Sequence, residues 1–304
     1  MQLTSRYQSS EVEPALAVED LQLTLARLPV LRGVSFTIQR GEIVCLLGRA
    51  GSGKSTLLNA ISGKIKYRHG AIHLHSESIA QASEPGHYAV EERKLPATVE
   101  AILKRVISHL PAAKISVEVA DLLVKLGLWD SRSEHPERLS MSKSACLELA
   151  IMLAARSSLM LIDSLGDLLD PTTSRRFWGE VFQRSALGTT CLYATRRPEE
   201  AERADRVLIL ESGRITAQGT PDELKSQVIP DRVAIETLDP DGVRDLLTPF
   251  EVVVRQTSKG LILHAKDGQA TAARLLRDGY GIVKTITLLR PTMSDAWDHL
   301  TLGQ

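Results

Sequence analysis

The sequence predicts an α/β fold with a mainly parallel β-sheet, followed by a small α+β domain. Two observations lead to this prediction. First, apolar strand-like runs such as "GEIVCLLG" and "LMLID" alternate with helical segments, as they do where helices cover a parallel sheet. Second, the pattern changes near residue 228, and a chain of 304 residues is long enough for a second domain.

The predicted domain boundaries follow the changes in pattern along the chain. Residues 1–14 are polar and are expected to form a flexible N-terminus, and the large domain is expected to span 15–228. Within it, residues of about 92–146 show apolar positions at helical spacing, broken at Pro111, and predict a helical insertion. Residues 229–304 give strand and helix signals in the order βαββαβ, which is typical of a ferredoxin-like domain.

Composition narrows the classes of function. The chain has 37 basic and 37 acidic residues, so no bulk charge attracts nucleic acid, and we expect none to bind. Cys45, Cys146 and Cys191 lie far apart and are expected to be buried and reduced. No run approaches the ~18 apolar residues of a membrane span, and the N-terminal segment has no apolar leader, so a cytoplasmic chain is expected.

A glycine-rich motif between a strand signal and a helix signal predicts a phosphate-binding loop. The stretch "GRAGSGKST" satisfies GxxxxGK[ST], in which glycines let backbone N–H groups turn inward around phosphates at a helix N-terminus. Lys54 is expected to reach the β- and γ-phosphates, and Ser55 to bind Mg²⁺. The predicted nucleotide-binding residues are Gly48, Arg49, Ala50, Gly51, Ser52, Gly53, Lys54, Ser55 and Thr56.

The strand signal "LMLID" supplies a second acidic position. It ends at Asp163, where folds with such a loop place the aspartate that helps to hold Mg²⁺. The next residue is Ser164, although a hydrolase of this kind would need a carboxylate there. A serine hydroxyl does not take up a proton at neutral pH, and a positioned general base typically contributes roughly 10²–10⁴-fold to a rate.

Three longer stretches resemble the ATP-binding subunit of ABC transporters, and the resemblance covers residues of about 15–225. They are "VLRGVSFTIQRGEIVCLLGRAGSGKSTLLNAISG", "ERLSMSKSACLELAIMLAA" and "ADRVLILESGRITAQGTPDEL". The resemblance implies a P-loop NTPase fold of the ABC type, ATP with Mg²⁺ as ligand, and two subunits that sandwich two ATP molecules. It also implies a separate transmembrane permease, which would hold this chain at the cytoplasmic face of the cell (inner) membrane.

The same resemblance exposes departures at the catalytic positions. By the family pattern, Ser164 stands at the catalytic glutamate and Arg196 at the switch histidine. Glu91, or Glu92 if the register slips by one, stands at the usual glutamine. Leu25 falls where an aromatic residue would stack on adenine.

The signature motif, which would contact the partner subunit's ATP, is also altered. "LSMSK" keeps Ser140 but has Met141, Ser142 and Lys143 in place of Gly-Gly-Gln. Asp170, which ends "DSLGDLLD", is expected at the same subunit contact. Together these departures predict weak or absent ATP hydrolysis by this chain alone.

The chain end "LLRPTMSDAWDHLTLGQ" resembles the ending of ABC-2-type exporter subunits related to the daunorubicin-resistance family. The sequence therefore predicts an ATP-binding subunit with degenerate catalytic motifs, which pairs with a competent ABC ATPase subunit to drive a separate permease. Two alternatives stay open. One is an active ATPase homodimer that powers the exporter, and the other is a non-catalytic, nucleotide-sensing regulatory scaffold.

Overall fold

The fold is taken from a computed structural model, which describes ten stretches of the chain. They are residues 13–74, 77–78, 98–164, 168–226, 231–247, 253–257, 260–265, 267–279, 281–289 and 291–302. By residue contacts the chain divides into two compact units. The first comprises Met1–Arg196 and Arg203–Gln218, and the second comprises Arg197–Glu202 and Gly219–Gln304.

A five-stranded sheet forms the centre of the first unit, in the order β6-β7-β3-β8-β9. Its strands are β3 (Ile43–Leu47), β6 (Leu159–Asp163), β7 (Thr190–Thr195), β8 (Arg206–Glu211) and β9 (Arg214–Gly219). The neighbours β6, β7, β3 and β8 pair in parallel. Every residue of β3 and β7 is buried, which is why β3 and residues 191–194 of β7 are continuous apolar runs in the sequence.

An antiparallel sheet in the order β2-β1-β4-β5 completes the strands of this unit. These strands are β1 (Leu16–Leu25), β2 (Leu28–Ile38), β4 (His69–Leu74) and β5 (Glu77–Ser78). The β1–β2 hairpin turns at Ala26 and Arg27, both with positive φ, as a two-residue turn matched to strand twist requires. Buried residues of both sheets, including Leu16, Leu57 and Leu161, share one hydrophobic core.

The first unit has one helix directly after the glycine-rich loop, two within the predicted insertion and two further on in the chain. They are α1 (Lys54–Ile61), α2 (Val99–Val106), α3 (Ala112–Lys125), α4 (Met141–Ala155) and α5 (Pro171–Ala186). Helices α2 and α3 lie within the predicted insertion, and α3 begins directly after Pro111. Residues 92–97 of that prediction, and residues 1–12 of the predicted flexible N-terminus, lie outside the described residues.

The second unit is built around an antiparallel sheet in the order β11-β12-β10-β13. Its strands are β10 (Asp231–Thr237), β11 (Val253–Thr257), β12 (Gly260–Ala265) and β13 (Val283–Leu289). Its helices are α6 (Pro198–Ala201), α7 (Pro221–Ser226), α8 (Pro240–Leu247), α9 (Gly268–Asp278) and α10 (Met293–Leu302). From β10 to β13 the order is βαββαβ, as the sequence predicts, around a core that includes Val233, Leu261 and Leu275.

Helices α6 and α7 group by contacts with this second unit, although both precede the boundary that the sequence analysis places at residue 228.

Cys45, Cys146 and Cys191 are buried, as the sequence analysis expects. Across the described ranges, no helix combines the length and apolar character needed to cross a membrane.

Candidate nucleotide-binding site

The glycine-rich loop joins the carboxyl end of β3 to the first turn of α1. A Cβ atom added at Gly48 would lie 2.5 Å from the Leu210 carbonyl oxygen, so the backbone approach there requires glycine. Gly51 (φ 78°) and Gly53 (φ 108°) take the left-handed conformation that lets the chain turn sharply. Gly53 is the N-cap residue of α1 and offers no side-chain capping group, so backbone N–H groups of the first turn are left for a ligand.

The Lys54 ammonium is folded against this loop. Its Nζ donates to the carbonyl oxygens of Gly48 (2.7 Å) and Arg49 (2.8 Å) and to the Ser52 hydroxyl (3.5 Å). Lys54 is only 6% exposed, and burial lowers its pKa. A bound phosphate would supply the negative charge that this desolvated cation favours.

Asp163 and Arg196 are distant from the loop in sequence but lie at the same carboxyl end of the parallel sheet as the loop. Asp163 ends β6, and Arg196 follows β7. After burial, the next influences on the pKa of Lys54 are the charge of Asp163, which raises it, and that of Arg196, which lowers it. The Thr195 carbonyl oxygen also accepts a hydrogen bond from the Gly48 N–H at 3.3 Å, which ties the end of β7 to the start of the loop. Carboxyl ends of parallel strands are where ligands bind in open α/β sheets.

Ser164 directly follows Asp163 in a backbone conformation unusual for serine. Its φ is 53°, in the left-handed region that costs L-residues about 1–2 kcal/mol. Its N–H donates to the Ala194 carbonyl oxygen at 3.0 Å, and its hydroxyl donates to Oδ1 of Asp163 at 3.2 Å. The side chain of Ser164, which the family resemblance aligns with the catalytic glutamate, is therefore directed at the neighbouring carboxylate.

These residues fit a nucleoside triphosphate with Mg²⁺. The loop, the α1 N-terminus and Lys54 suit a polyphosphate, and the Asp163 carboxylate and exposed Ser55 hydroxyl are the oxygen ligands that Mg²⁺ prefers. Among the described residues, no cluster of three His, Cys, Asp or Glu side chains could cage a metal. Mg²⁺ does not need such a cluster, because it keeps several waters and binds phosphate oxygens. Leu25, which the family resemblance places beside adenine, ends β1 and exposes 39% of its surface; there it would offer an apolar contact in place of aromatic stacking.

The stretch that resembles an altered signature motif forms the N-terminus of α4. The Ser140 hydroxyl caps this helix by accepting from the Lys143 N–H at 3.3 Å. Met141 is 74% exposed at the first position of the helix, and Ser142 is half-buried. The Lys143 ammonium donates to the hydroxyl of Ser131, which is fully buried.

Asp170 has a local structural task in this chain. Its Oδ1 accepts from the N–H groups of Thr172 and Thr173, each at 3.0 Å, and so caps α5. Hydrogen bonds, first that of the Thr173 side chain, hold the pKa of Asp170 below its ordinary value. The subunit contact that the sequence suggests for Asp170 stays a prediction. Glu91 and its alternative Glu92 lie outside the described residues.

Two partners in this site carry no sequence signal. Ser131, whose hydroxyl accepts from the Lys143 ammonium, lies in the segment before α4 and belongs to no recognisable motif. Thr195 acts through its backbone carbonyl, which any residue could provide. The hydrogen bonds themselves, rather than a motif, reveal both residues.

A P-loop nucleotide-binding domain is defined by three features: the glycine-rich loop, the charges of Asp163 and Arg196 that act on Lys54, and the order of the parallel strands. Residues 31–165 match the family described as ABC transporter. The chain therefore carries an ATP-binding domain of the ABC transporter family, as its sequence resemblance implies.

Curated relatives include ATP-binding proteins of importers and of a drug-resistance system. "Methionine import ATP-binding protein MetN" of Brucella abortus (strain 2308) is 30% identical over 68% of this chain and 60% of that protein. The chain thus spans about 60% of the length of these import relatives. "Daunorubicin resistance ATP-binding protein DrrA3" of Streptomyces coeruleorubidus is 25% identical over 95% of this chain and 96% of that protein.

Solved structures agree on the fold. One described as the ATP binding subunit of an ABC transporter has a TM-score of 0.61 and 27% identity, over 70% of this chain and 92% of that chain. A dimeric ATP-binding cassette bound to ADP and Pi has a TM-score of 0.59 over 67% of this chain and 98% of that chain. At 18% identity the second structure supports the fold alone.

Proposed function

We propose that this chain is the ATP-binding subunit of an ABC transporter, and that it binds Mg·ATP but hydrolyses it weakly or not at all. The observation that carries the proposal is Ser164, whose hydroxyl donates to the Asp163 carboxylate. The oxygen of a neutral hydroxyl does not take up a proton at neutral pH, so Ser164 does not act as a base toward attacking water. The phosphate loop beside it keeps its glycine conformations and its buried lysine.

The expected free-energy losses differ for ATP hydrolysis and for ATP binding. Loss of a positioned general base removes roughly 10²–10⁴-fold in rate, or ~3–5 kcal/mol of transition-state stabilisation. Leu25 in place of an aromatic side chain should cost less, about 1–3 kcal/mol if base stacking on other proteins is a guide. Binding through Lys54 and the loop is therefore expected to survive better than hydrolysis.

The first residues of α4, which resemble an altered signature motif, favour pairing with a different ATPase subunit over pairing with a second copy of this chain. In the sandwich that the family resemblance implies, this helix faces the ATP bound by the partner subunit. Met141, 74% exposed at the first position of α4, places a long side chain where glycine would let phosphate approach. A homodimer would combine Ser164 with this signature at both sites, whereas a competent partner would bring one intact motif to each site.

The comparison with the drug-resistance protein supports an exporter. DrrA3 aligns over 95% of this chain, which includes most of the second unit, whereas the MetN match covers 68% of the chain. We therefore place the chain beside a separate transmembrane permease, as a peripheral subunit on the cytoplasmic side of the membrane. An active ATPase homodimer and a nucleotide-sensing scaffold are the competing functions.

A paired measurement on one purified sample tests the proposal. Equilibrium binding of Mg·ATP and phosphate release over hours at saturating ATP are followed together. Tight binding without release supports the proposal, whereas release at an ordinary rate supports the active homodimer and failure to bind ATP contradicts both. Co-purification with a membrane permease separates a transporter subunit from a scaffold.

A further inference from the structure

Helix α5 of the first unit borders an open groove. The groove has a volume of about 500 Å³ and is lined by residues of the first unit alone, among them Arg175, Trp178, Phe182 and Arg203. Positions 175, 178 and 182 share one face of α5, because residues three and four apart in a helix are neighbours. Binding pockets typically measure ~300–1,000 Å³, so the groove has room for several side chains of a bound molecule.

Aromatic side chains form the apolar part of the groove. Trp178 is 6% exposed and packs edge-on against Tyr193 of β7, with ring centroids 4.8 Å apart, which ties α5 to the central sheet. Phe182, one turn further along α5, has its ring centroid 6.3 Å from that of Trp178. Unlike Trp178, Phe182 is 43% exposed, so it offers an apolar surface to a molecule that enters the groove.

Two arginines form the polar part of the groove. The Arg203 guanidinium lies over the Trp178 ring, 5.5 Å from its centroid, and this contact fixes its position beside α5. Stacking uses the face of a guanidinium, so its in-plane N–H donors remain able to bind a carboxylate through two parallel hydrogen bonds. Arg175 is exposed on the groove face of α5 and adds a second cation.

The charge of these arginines is not balanced within the described part of the chain. Neither Arg175 nor Arg203 forms an ion pair with a described carboxylate, and no described residue that borders the groove is acidic. Asp170, which directly precedes α5, is engaged in capping that helix. Arginine and aromatic residues are enriched at the centres of protein interfaces. The groove is therefore complementary to carboxylates that stand next to an apolar group.

We propose that this groove is a docking site for an acidic peptide segment of a partner protein. Carboxylates of the segment bind Arg175 and Arg203, and an apolar side chain between them packs on Phe182. A peptide that crosses the groove presents all three groups together, and the exposure of Arg175, Phe182 and Arg203 leaves the groove open to it. The proposal is independent of ATP binding, because the phosphate loop contributes none of these residues.

The test uses an array of capped pentapeptides in which one Phe is combined with two Glu residues at every spacing. The best peptide is then titrated into the full-length protein by calorimetry. We expect it to bind roughly tenfold or more tightly than the matched peptide with Gln in place of Glu. Arg175→Gln and Arg203→Gln should each weaken its binding roughly tenfold, as the loss of a hydrogen bond to a charged group does.

Two further variants test the chemistry of the groove. Arg203→Lys keeps the charge but lacks the planar fork of donors, so it should recover only part of the affinity that Arg203→Gln loses. Phe182→Ser removes the apolar contact and should weaken peptide binding roughly fivefold. Arg176→Gln is the matched control, since Arg176 is exposed on the same helix but does not line the groove, and it should leave peptide affinity unchanged.

Four outcomes would overturn the proposal. The first is an array in which no acidic peptide binds better than its Gln counterpart. The second is equal weakening by Arg175→Gln and Arg176→Gln, which would assign binding to bulk charge. The third is binding of free glutarate as tight as that of the best peptide, which would make the groove a site for small dicarboxylates. The fourth is self-association of the wild type that Phe182→Ser abolishes, measured by sedimentation, which would assign the groove to a second copy of the chain.

Discussion

Ser164 donates its hydroxyl hydrogen to Oδ1 of Asp163 at 3.2 Å, so the residue that the family resemblance aligns with the catalytic glutamate faces the carboxylate expected to bind Mg²⁺. The backbone contributes to this arrangement, because the Ser164 N–H is bonded to the Ala194 carbonyl on the neighbouring strand. Both bonds stabilise a side chain that does not abstract a proton from water. The substitution therefore has a local structure of its own beside the phosphate loop.

Restoring the carboxylate by itself should not restore turnover. We expect Ser164→Glu to raise phosphate release far less than the roughly 10²–10⁴-fold typical of a positioned base, because Arg196 and the Met141 signature remain in place. Release is measured on purified protein at saturating Mg·ATP, with Ser164→Ala as the control without a carboxylate. Hydrolysis at an ordinary rate by Ser164→Glu would show that the other departures are harmless.

The buried lysine of the phosphate loop should dominate nucleotide affinity. Hydrogen bonds to charged groups contribute about 1.5–3 kcal/mol, so Lys54→Ala is expected to weaken Mg·ATP binding roughly 10–100-fold. Nucleotide titration measures the affinity directly. Thermal unfolding gives a second measurement, since ligand at 100 times Kd stabilises the wild type by about 2.7 kcal/mol.

Lys66→Ala is the matched control for this prediction, because Lys66 is an exposed lysine in the segment after α1. It should bind Mg·ATP as the wild type does. Equal affinities for wild type and Lys54→Ala would contradict the site, whatever the thermal result.

The sequence predicts well those features that depend on residues close together along the chain. The phosphate loop is one, because strand, glycines, lysine and helix follow each other within a few positions, and each constrains the local backbone. The place of Asp163 at the end of a buried strand is another, while its role as a Mg²⁺ ligand stays a prediction. The βαββαβ order of the second unit follows likewise from local strand and helix signals.

Features that depend on distant partners could not be predicted. Two examples are the hydrogen bond from Lys143 to Ser131 and the one from the Met293 N–H of α10 to Glu202. Nothing in the sequence around these residues indicates which partner each one has. The division between the units differs from the predicted boundary for the same reason, since α6 and α7 are assigned by the contacts they make with α10. Local pattern gave no signal of those contacts.

Asp170 should contribute to stability through its cap on α5. Asp170→Ala leaves the N–H groups of Thr172 and Thr173 without their acceptor and is expected to cost about 1 kcal/mol of unfolding free energy. Asp170→Asn keeps a side-chain oxygen and should cost less. Urea unfolding tests this as a lower midpoint with an unchanged m-value. Equal stability of wild type and Asp170→Ala would contradict the capping role.

Helix α10 begins with a reciprocal capping pair. Oδ2 of Asp295 accepts from the Thr292 N–H (2.9 Å) and hydroxyl (2.8 Å), and the Asp295 N–H donates to the Thr292 hydroxyl at 3.2 Å. Arg232 of β10 adds an ion pair at 3.0 Å. These bonds, first that from the Thr292 backbone, hold the pKa of Asp295 below its ordinary value of 3.8.

This capping pair predicts an acid-sensitive attachment of α10. Because the folded pKa of Asp295 is depressed, its stabilisation is fully present above the ordinary value of 3.8 and is lost as the pH falls through the folded value. Asp295→Asn should therefore be less stable than wild type above that pH, and the difference should shrink as the pH falls below it. Urea unfolding over a pH series measures this difference. Asp298→Asn, at an exposed position on the same helix, should show no such convergence, and a pH-independent gap for Asp295→Asn would assign the loss to packing rather than charge.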